Sequence, residues 1–376
     1  MAIGAVAAGL MGCPSDPATD AAVDSGTMDT GMADTMPPPP PPDGGGDVVQ
    51  QDTTRDTTTP PADTPPGDVP GDTPGMPGMS TRPVVNCGMV CSRPLDSIPD
   101  TMGRNIFFTA YNAMNEPAVF RAAVPAMGMP MAAPTQVVAG MGLAFPVGIT
   151  LSNDDSTIYV ADQAADRNMG AEVLEGVGAI FAIPAAGGAP TQVNVGTELL
   201  TPAAITITSD GMDLLITGQR RTDMGFERAL FRVSRSGGTA MLMTTNLVDP
   251  SGVSQAPMGG IICHDTRRGG ERSATAVSVT GMAATDVAGS LEAGYPAGLA
   301  YGLDSRTILL SGADPANGGG LLTFVMGDGR PMAPMALSTG MVAPLGLHRA
   351  RSVNAWAVAD EGAGDNGQIF MVAMGP

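Results

Sequence analysis

The pattern of hydrophobic and polar positions divides the chain into two contrasting parts. Residues 14–82 contain almost no Leu, Ile or Phe and are dominated by Pro, Asp, Thr and Gly. From residue 83 onward, short apolar runs alternate with turns rich in Gly, Asn and Asp. Short apolar runs separated by such turns are typical of β-strands, so the second part is predicted to be an all-β domain.

One strand-forming element recurs in this second part. It consists of a proline, two further residues and an apolar strand, and it begins at Pro146, Pro202, Pro250, Pro296 and Pro344. The successive prolines lie 56, 48, 46 and 48 residues apart, which is the length of one four-stranded propeller blade. Incomplete units before the first and after the last proline bring the prediction to a six-bladed β-propeller, and a seven-bladed ring remains an alternative.

Two strands of this six-bladed arrangement remain to be found, and residues 83–98 are the segment that is left to supply them. A strand from this segment would complete the last blade and close the ring, which removes an open sheet edge. We therefore expect the propeller to span residues 83–376.

Three features resemble six-bladed propellers of the NHL and TolB-like families. They are the quoted starts, several of which read Pro-x-Gly, the strand Tyr159-Val160-Ala161-Asp162 and the Gly-Gly turns. The resemblance covers nearly all of residues 99–376, and it implies the architecture while leaving the activity open. In the gluconolactonase branch, Glu, Asn and Asp on the inner strands hold a metal ion. The five starts contain no carboxylate, which argues against a lactonase.

The N-terminal region predicts export. Residues 1–12 form an apolar, signal-like leader, and the run Leu10-Met11-Gly12-Cys13 resembles the lipobox of bacterial lipoproteins, in which the cysteine is lipidated. Residues 13–82 would then form a disordered, acidic linker, because they contain too few apolar side chains to offset the entropy of ordering. We expect a protein of the bacterial cell envelope that contacts the membrane through its lipid anchor only. The alternative is an uncleaved apolar N-terminus with an incidental cysteine.

Charge and cysteine content limit the partners further. The net charge is −19 and no run of basic residues occurs, so nucleic acid is not an expected partner. Cys87 and Cys91 flank Gly88 and predict a small disulfide ring in an exported protein, with a zinc site as the alternative. Cys263 follows two isoleucines and is expected to be a buried thiol.

The long loops that join second to third strands are the predicted binding face, because loops on a rigid scaffold often carry binding groups. The ligand-binding candidates on this face are Arg220, Arg221, His264, Arg267, Arg268 and Arg272. Arginine forks suit carboxylate and phosphate groups, so a protein or a small anionic ligand is the expected partner. Alternatively, these arginines pair on the surface with Asp223, Glu227, Asp265 and Glu271.

Calcium is the one cofactor considered, because its preferred oxygen ligands are abundant in the acidic loops. The candidate ligands are Asp162, Asp166, Glu172, Asp360 and Asp365. No nucleophile elbow, phosphate loop or zinc cluster is found, and His348 is expected to be structural. We therefore expect a binding or scaffold propeller without a catalytic role. The alternatives are a metal-dependent hydrolase or lyase and a purely structural envelope protein.

Overall fold

A computed structural model of the chain describes residues 79–165, 178–268, 273–287, 291–292, 298–313, 320–325 and 340–374. The chain divides into two units, residues 1–69 and 70–376, and all described residues belong to the second. The predicted leader, Cys13 and nearly all of the predicted linker lie outside the described residues. Within the described ranges every regular element is a strand, which confirms the all-β prediction. These ranges include no helix of the length and hydropathy that crossing a membrane requires.

The strands form six antiparallel sheets. β1 (Met79–Asn86) pairs with the end of the chain, as described below. The first sheet contains β2 (Cys91–Pro99), β3 (Asn105–Asn112), β4 (Pro117–Ala123) and β5 (Thr135–Ala139). The second contains β6 (Pro146–Leu151), β7 (Thr157–Asp162), β8 (Ala179–Pro184) and β9 (Thr191–Val193). The third contains β10 (Ile205–Ile207), β11 (Asp213–Thr222), β12 (Gly225–Ser234) and β13 (Met241–Thr244).

The fourth sheet contains β14 (Pro250–Gln255), β15 (Ile261–Thr266), β16 (Ser273–Thr280) and β17 (Ala283–Asp286), with β18 (Leu291–Glu292) also paired to β16. The fifth contains β19 (Leu299–Tyr301), β20 (Ile308–Ala313) and β21 (Gly320–Val325). The sixth contains β22 (Pro344–Arg349), β23 (Ala355–Asp360) and β24 (Gln368–Met374), and β1 is its outer strand.

The first strands of the six sheets contact one another around a common axis. β2 contacts β6 and β22, β10 contacts β6 and β14, and β19 contacts β14 and β22. The protein is therefore a β-propeller, as predicted. Among the described residues, five of the six sheets have at least the four strands of a complete blade and the sheet of β19–β21 has three, so five complete blades are found where six were predicted. The described ranges contain no seventh sheet.

The ring is closed by the strand that precedes the first blade. β1 pairs antiparallel with β24 from Met79 opposite Met374 to Asn86 opposite Gln368, with a bulge between Pro83 and Val85. β2 is the inner strand of the first blade. The prediction that residues 83–98 supply the two missing strands is thus confirmed, although β1 begins earlier, at Met79. The disulfide between Cys87 and Cys91 spans the turn between these strands.

The glycine of the repeated start is required by the crowding near the axis. A Cβ atom at Gly148 would overlap the carbonyl oxygen of Ala203, and one at Gly298 would overlap the backbone nitrogen of Leu347, each on the neighbouring blade. The neighbouring blades therefore approach too closely at Gly148 and Gly298 for a side chain. This steric limit explains the glycine of these two units, whereas the unit at Pro202 has Ala204 at the same position.

The core lies between the blades rather than within a single layer. Tyr159 and Ile180 of the second blade, for example, belong to one cluster with Ile216 and Phe231 of the third. Trp356 and Phe231 are completely buried, as expected from their alternation with small residues. Burying each such side chain contributes on the order of 1.5–3 kcal/mol, so the contacts between blades hold the ring rigid around its axis.

Candidate functional site

Two of the predicted ligand-binding arginines lie on the hairpin formed by β11 and β12. The Nε atom of Arg220 is 2.7 Å from Oε2 of Glu227, the residue opposite it in the hairpin. The guanidinium of Arg221 lies over the ring of Phe226, 5.9 Å from its centroid. Arg220 is therefore already paired with a carboxylate of its own hairpin.

The other predicted arginines follow β15. Arg268 lies 2.5 Å from a carboxylate oxygen of Asp286 and 3.3 Å from one of Asp265, and Arg267 lies 3.7 Å from Asp249. Arg272 lies outside the described residues. Of the pairings considered from the sequence, the structure contains those of arginine with Glu227 and Asp265. His264, by contrast, is fully buried and is not on the surface with them.

The acidic residues considered for calcium have local partners where they are described. Asp162 accepts hydrogen bonds from the backbone N–H groups of Ala144, Phe145, Ala164 and Ala165. Asp360 accepts four backbone N–H groups of the last blade in the same way. Burial nonetheless raises the pKa of Asp162. Both carboxylates thus hold the loop that leads into a first strand against the end of the second strand.

The remaining calcium candidates are Asp166, Glu172 and Asp365. Asp365 is exposed on the surface, and Asp166 and Glu172 lie outside the described residues. Within the part of the chain that is described, no group of three or more His, Cys, Asp or Glu side chains is arranged to hold a metal ion.

A cavity of about 300 Å³ opens at the axis, on the face of the charged loops. Leu95 of β2 lines it together with the second residues of four repeat units, Val147, Ala203, Ser251 and Leu345. Two ion pairs flank the opening, because Arg228 lies 3.4 Å from Asp249 and Arg93 lies 3.7 Å from Glu361. The second-position side chains thus form a mainly apolar ring, in which the hydroxyl of Ser251 is the polar group.

A buried carboxylate and an imidazole meet at this cavity. Oδ2 of Asp96 lies 3.1 Å from Nε2 of His348 and accepts the backbone N–H of Ile149 at 2.9 Å. Oδ1 accepts the N–H of Ser97 at 2.8 Å. Both Asp96 and His348 are less than a tenth exposed and line the cavity. Asp96 therefore joins the first, second and last blades at the axis.

Asp96 was missed in the sequence: the five starts recognised there contain no carboxylate, but a sixth start does. Its segment, Pro94-Leu95-Asp96-Ser97, is a sixth unit, and Pro94 precedes Pro146 by 52 residues. Asp96 occupies the third position of the unit, where the others have Gly or Ala. A Cβ atom at Gly346 would overlap the carboxylate of Asp96, so the glycine of the last blade leaves the space that this carboxylate fills.

A second polar pair lies in the fourth blade. Oγ of Ser251 is 2.9 Å from Nδ1 of His264, whose side chain is completely buried. Nε2 of His264 has no hydrogen-bond partner among the described residues. Burial lowers the pKa of His264 to about 4, so its imidazole is neutral at pH 7. The Ser251 hydroxyl at the cavity wall is therefore held by a neutral imidazole behind it.

Comparison with known proteins identifies the fold and nothing more specific. No family model matches the sequence. No curated protein matches it either. Among solved structures, the chain is similar to the PQQ-bound aldose sugar dehydrogenase of Streptomyces coelicolor, with a TM-score of 0.55, 12% identity and coverage of 79% of this chain and 98% of that chain. A gluconolactonase of Xanthomonas campestris has a TM-score of 0.50 and 12% identity, with 80% and 98% of the two chains covered.

TolB of Acinetobacter baumannii is also similar, with a TM-score of 0.49, 13% identity and coverage of 65% of this chain and 55% of that chain. The NHL family of the predicted resemblance is not confirmed, because no family model matches. Identities this low establish a shared fold and leave the chemistry of each site to be argued from its own residues.

Proposed function

We propose that this chain is an exported, lipid-anchored binding propeller that takes a small polar ligand into its axial cavity. The observation that carries the proposal is the Asp96–His348 pair at the cavity wall. The proposal keeps the charged-loop face predicted from the sequence. It moves the binding group from the outer arginines to the axis, because Arg220, Arg267 and Arg268 already have carboxylate partners.

The size and lining of the cavity support a small molecule. Ligand sites are usually concave, mainly apolar and provided with a few convergent polar groups, and a volume of about 300 Å³ lies at the lower end of their range. Here apolar second-position side chains lie around Asp96, Ser251 and His348, which are three of the polar residues that line the cavity. These groups come from three different blades, so a ligand that contacts them all would be held in one orientation.

The polar groups also indicate the chemistry of the ligand. A carboxylate accepts hydrogen bonds, whereas a serine hydroxyl both donates and accepts them. An anionic group beside Asp96 would be repelled, so a neutral ligand that carries hydroxyl groups suits the cavity better than the small anion predicted for the arginine loops. A protein partner that covers the opening between Arg93 and Arg228 is the other occupant consistent with the charged loops.

A hydrolase or lyase that uses the same cavity is the second candidate. It is favoured by one observation, which is that a buried carboxylate orients the imidazole of His348 in the way that general acid–base catalysis requires. Two structurally similar proteins are named as a sugar dehydrogenase and a gluconolactonase, but their likeness to this chain extends to the fold alone.

Filling the cavity tests the binding proposal. Val147 lines the cavity and Val90 lies on the exposed turn between β1 and β2, so Val147→Phe and Val90→Phe are a matched pair. Sugars and polyols would be screened against the full-length protein by saturation-transfer NMR, and the affinity of each hit measured by calorimetry. We expect Val147→Phe to weaken binding at least tenfold, by about 1.4 kcal/mol, and Val90→Phe to leave it unchanged. A hit that binds both variants equally, or the absence of any hit, would contradict the proposal.

The enzyme candidate is distinguished with the same ligands. Each hit would be incubated with the protein and analysed by mass spectrometry for loss or gain of water. Turnover that disappears in His348→Gln while the ligand still binds would favour the enzyme. Binding without any conversion would favour the binding protein.

A further inference from the structure

A second cavity, of about 270 Å³, lies at the other end of the first strands. Thr150, Thr206 and Ser254 line it from three different blades. His348 lines both cavities and therefore separates the second cavity from the one described above. Arg349 and Arg351, at and just beyond the end of β22, contribute positive charge to the second cavity.

Arg349 is held in place by neutral groups. Its Nε donates to the carbonyl oxygen of Tyr301 at 2.6 Å, and its Nη1 donates to the carbonyl oxygens of Ala350, Arg351 and Val353. No ion pair joins Arg349 to a carboxylate within the described ranges. Burial lowers its pKa to about 10, so the guanidinium still carries its charge at pH 7. A charge that is partly desolvated without a counter-ion is unfavourable and would be stabilised by an anion.

The surroundings of the cavity do not supply that anion. Arg351 donates to the carbonyl oxygens of Leu151 and Ser152 and lies 3.8 Å from a carboxylate oxygen of Asp155. The carboxylate of Asp154 also attracts Arg351, and neither carboxylate forms an ion pair with Arg349. The carboxylate of Asp304 attracts Arg349 from a distance but accepts hydrogen bonds from residues of its own turn.

We propose that this second cavity binds a small oxyanion, a phosphate or carboxylate group, through Arg349 and the hydroxyls around it. Nε and Nη1 of Arg349 are already bonded to carbonyl oxygens, so Nη2 is the guanidinium nitrogen that would donate to an oxygen of such a group, and threonine and serine hydroxyls donate to the oxygens that remain. The cavity is large enough for inorganic phosphate or a short dicarboxylate. This site is separate from the proposed ligand site, and it would make the propeller a protein with two sites on one axis.

The test is calorimetric titration of the full-length protein with sodium phosphate, sodium sulfate and sodium succinate. We expect saturable binding of at least one of these anions that weakens with added salt, because part of the attraction is screened. Binding of phosphate and sulfate without binding of succinate would assign the site to tetrahedral oxyanions. Binding of succinate alone would assign it to carboxylates. Absence of saturable binding of all three anions would overturn the proposal.

Two variants and two controls locate the binding. Arg349→Gln removes the charge, and Thr206→Phe fills the cavity without altering either arginine, so one of them remains informative if the other fails to fold. Each is expected to weaken anion binding at least tenfold. Arg232→Gln removes a surface arginine paired with Asp213 and should have no effect, and Val147→Phe should leave anion binding intact while it blocks the first cavity. Unchanged anion binding in folded Arg349→Gln and Thr206→Phe would refute the assignment.

Discussion

The replacement Asp96→Ala removes the group that joins three blades at the axis. The carboxylate accepts the backbone N–H groups of Ser97 and Ile149 and lies within hydrogen-bond distance of His348. Ser97 and Ile149 are completely buried, so water cannot replace the lost acceptor without entering the ring. Alanine therefore leaves two backbone donors and one imidazole nitrogen without this partner.

The expected loss of stability follows from these three contacts. A buried donor left without an acceptor costs roughly 1–3 kcal/mol, and three buried groups lose this acceptor. Because the contributions are not additive, we expect Asp96→Ala to lower the free energy of unfolding by about 4 kcal/mol. Domains are commonly stable by about 5–15 kcal/mol, so this loss is a large share of the total.

Urea denaturation measures this loss. The fluorescence of Trp356 reports unfolding, because it is the one tryptophan of the chain and is completely buried in the last blade. Asp96→Asn should be intermediate, since the amide oxygen can replace one of the two carboxylate oxygens. Asp365→Ala, at an exposed position, should change stability by no more than about 0.5 kcal/mol. A loss below about 1 kcal/mol for Asp96→Ala, with an unchanged m-value, would refute the reasoning.

Two further predictions concern buried groups. The pKa of His264 is about 4 in the folded protein and about 6.5 in the unfolded chain, so the unfolded state alone binds a proton as the pH falls through this window. Between pH 7 and pH 4, the free energy of unfolding of the wild type, measured by urea titration, should therefore fall by about 3 kcal/mol more than that of His264→Gln. Equal losses in the two proteins would contradict this. Reducing the disulfide between Cys87 and Cys91 should lower stability by about 2 kcal/mol, because it closes a short loop. The control is the double variant Cys87→Ala/Cys91→Ala, measured with and without reductant. A urea midpoint that does not change when the wild type is reduced would contradict the prediction.

The propeller was predictable because its signal is local and repeated. A proline followed by a small residue and an apolar strand recurs with a period that strand and turn lengths dictate. Ring closure was predictable from counting strands, since a four-stranded blade was left incomplete at each end of the pattern. The number of complete blades was not, because β19–β21 provides three described strands where the repeat predicts four.

The candidate site was harder to predict because its residues are distant in sequence. Asp96 and His348 are separated by 252 positions and meet only when the last blade packs against the first. The segment at Pro94 also departs from the repeat, with Asp in place of Gly and Ser in place of an apolar residue. A search for the regular pattern therefore passes over the unit that differs.

The outer arginines show a different limit of sequence reasoning. Their position on long, charged loops was predictable, but the partner of each side chain depends on strand register and loop geometry. Arg220 faces Glu227 because β11 and β12 form a hairpin in which these residues are opposite each other. Arg268 reaches Asp286 of β17, two strands further on in the same sheet. Arginines that the sequence suggests as ligand-binding groups are therefore ion-paired with carboxylates of the propeller itself.

The departure at Asp96 is itself an argument for function. Other blades stabilise the N–H groups of their inner strands with neutral hydroxyls, since Thr217 accepts from Ala204 and Ser311 accepts from Gly298. A neutral group is therefore sufficient to hold an inner strand, and placing a carboxylate in a buried position is less favourable than placing a hydroxyl there. Asp162 and Asp360 are also buried carboxylates, but they hold loops through backbone N–H groups, whereas Asp96 also lies beside an imidazole and lines a cavity. This difference is the feature that supports the proposed binding role at the axis.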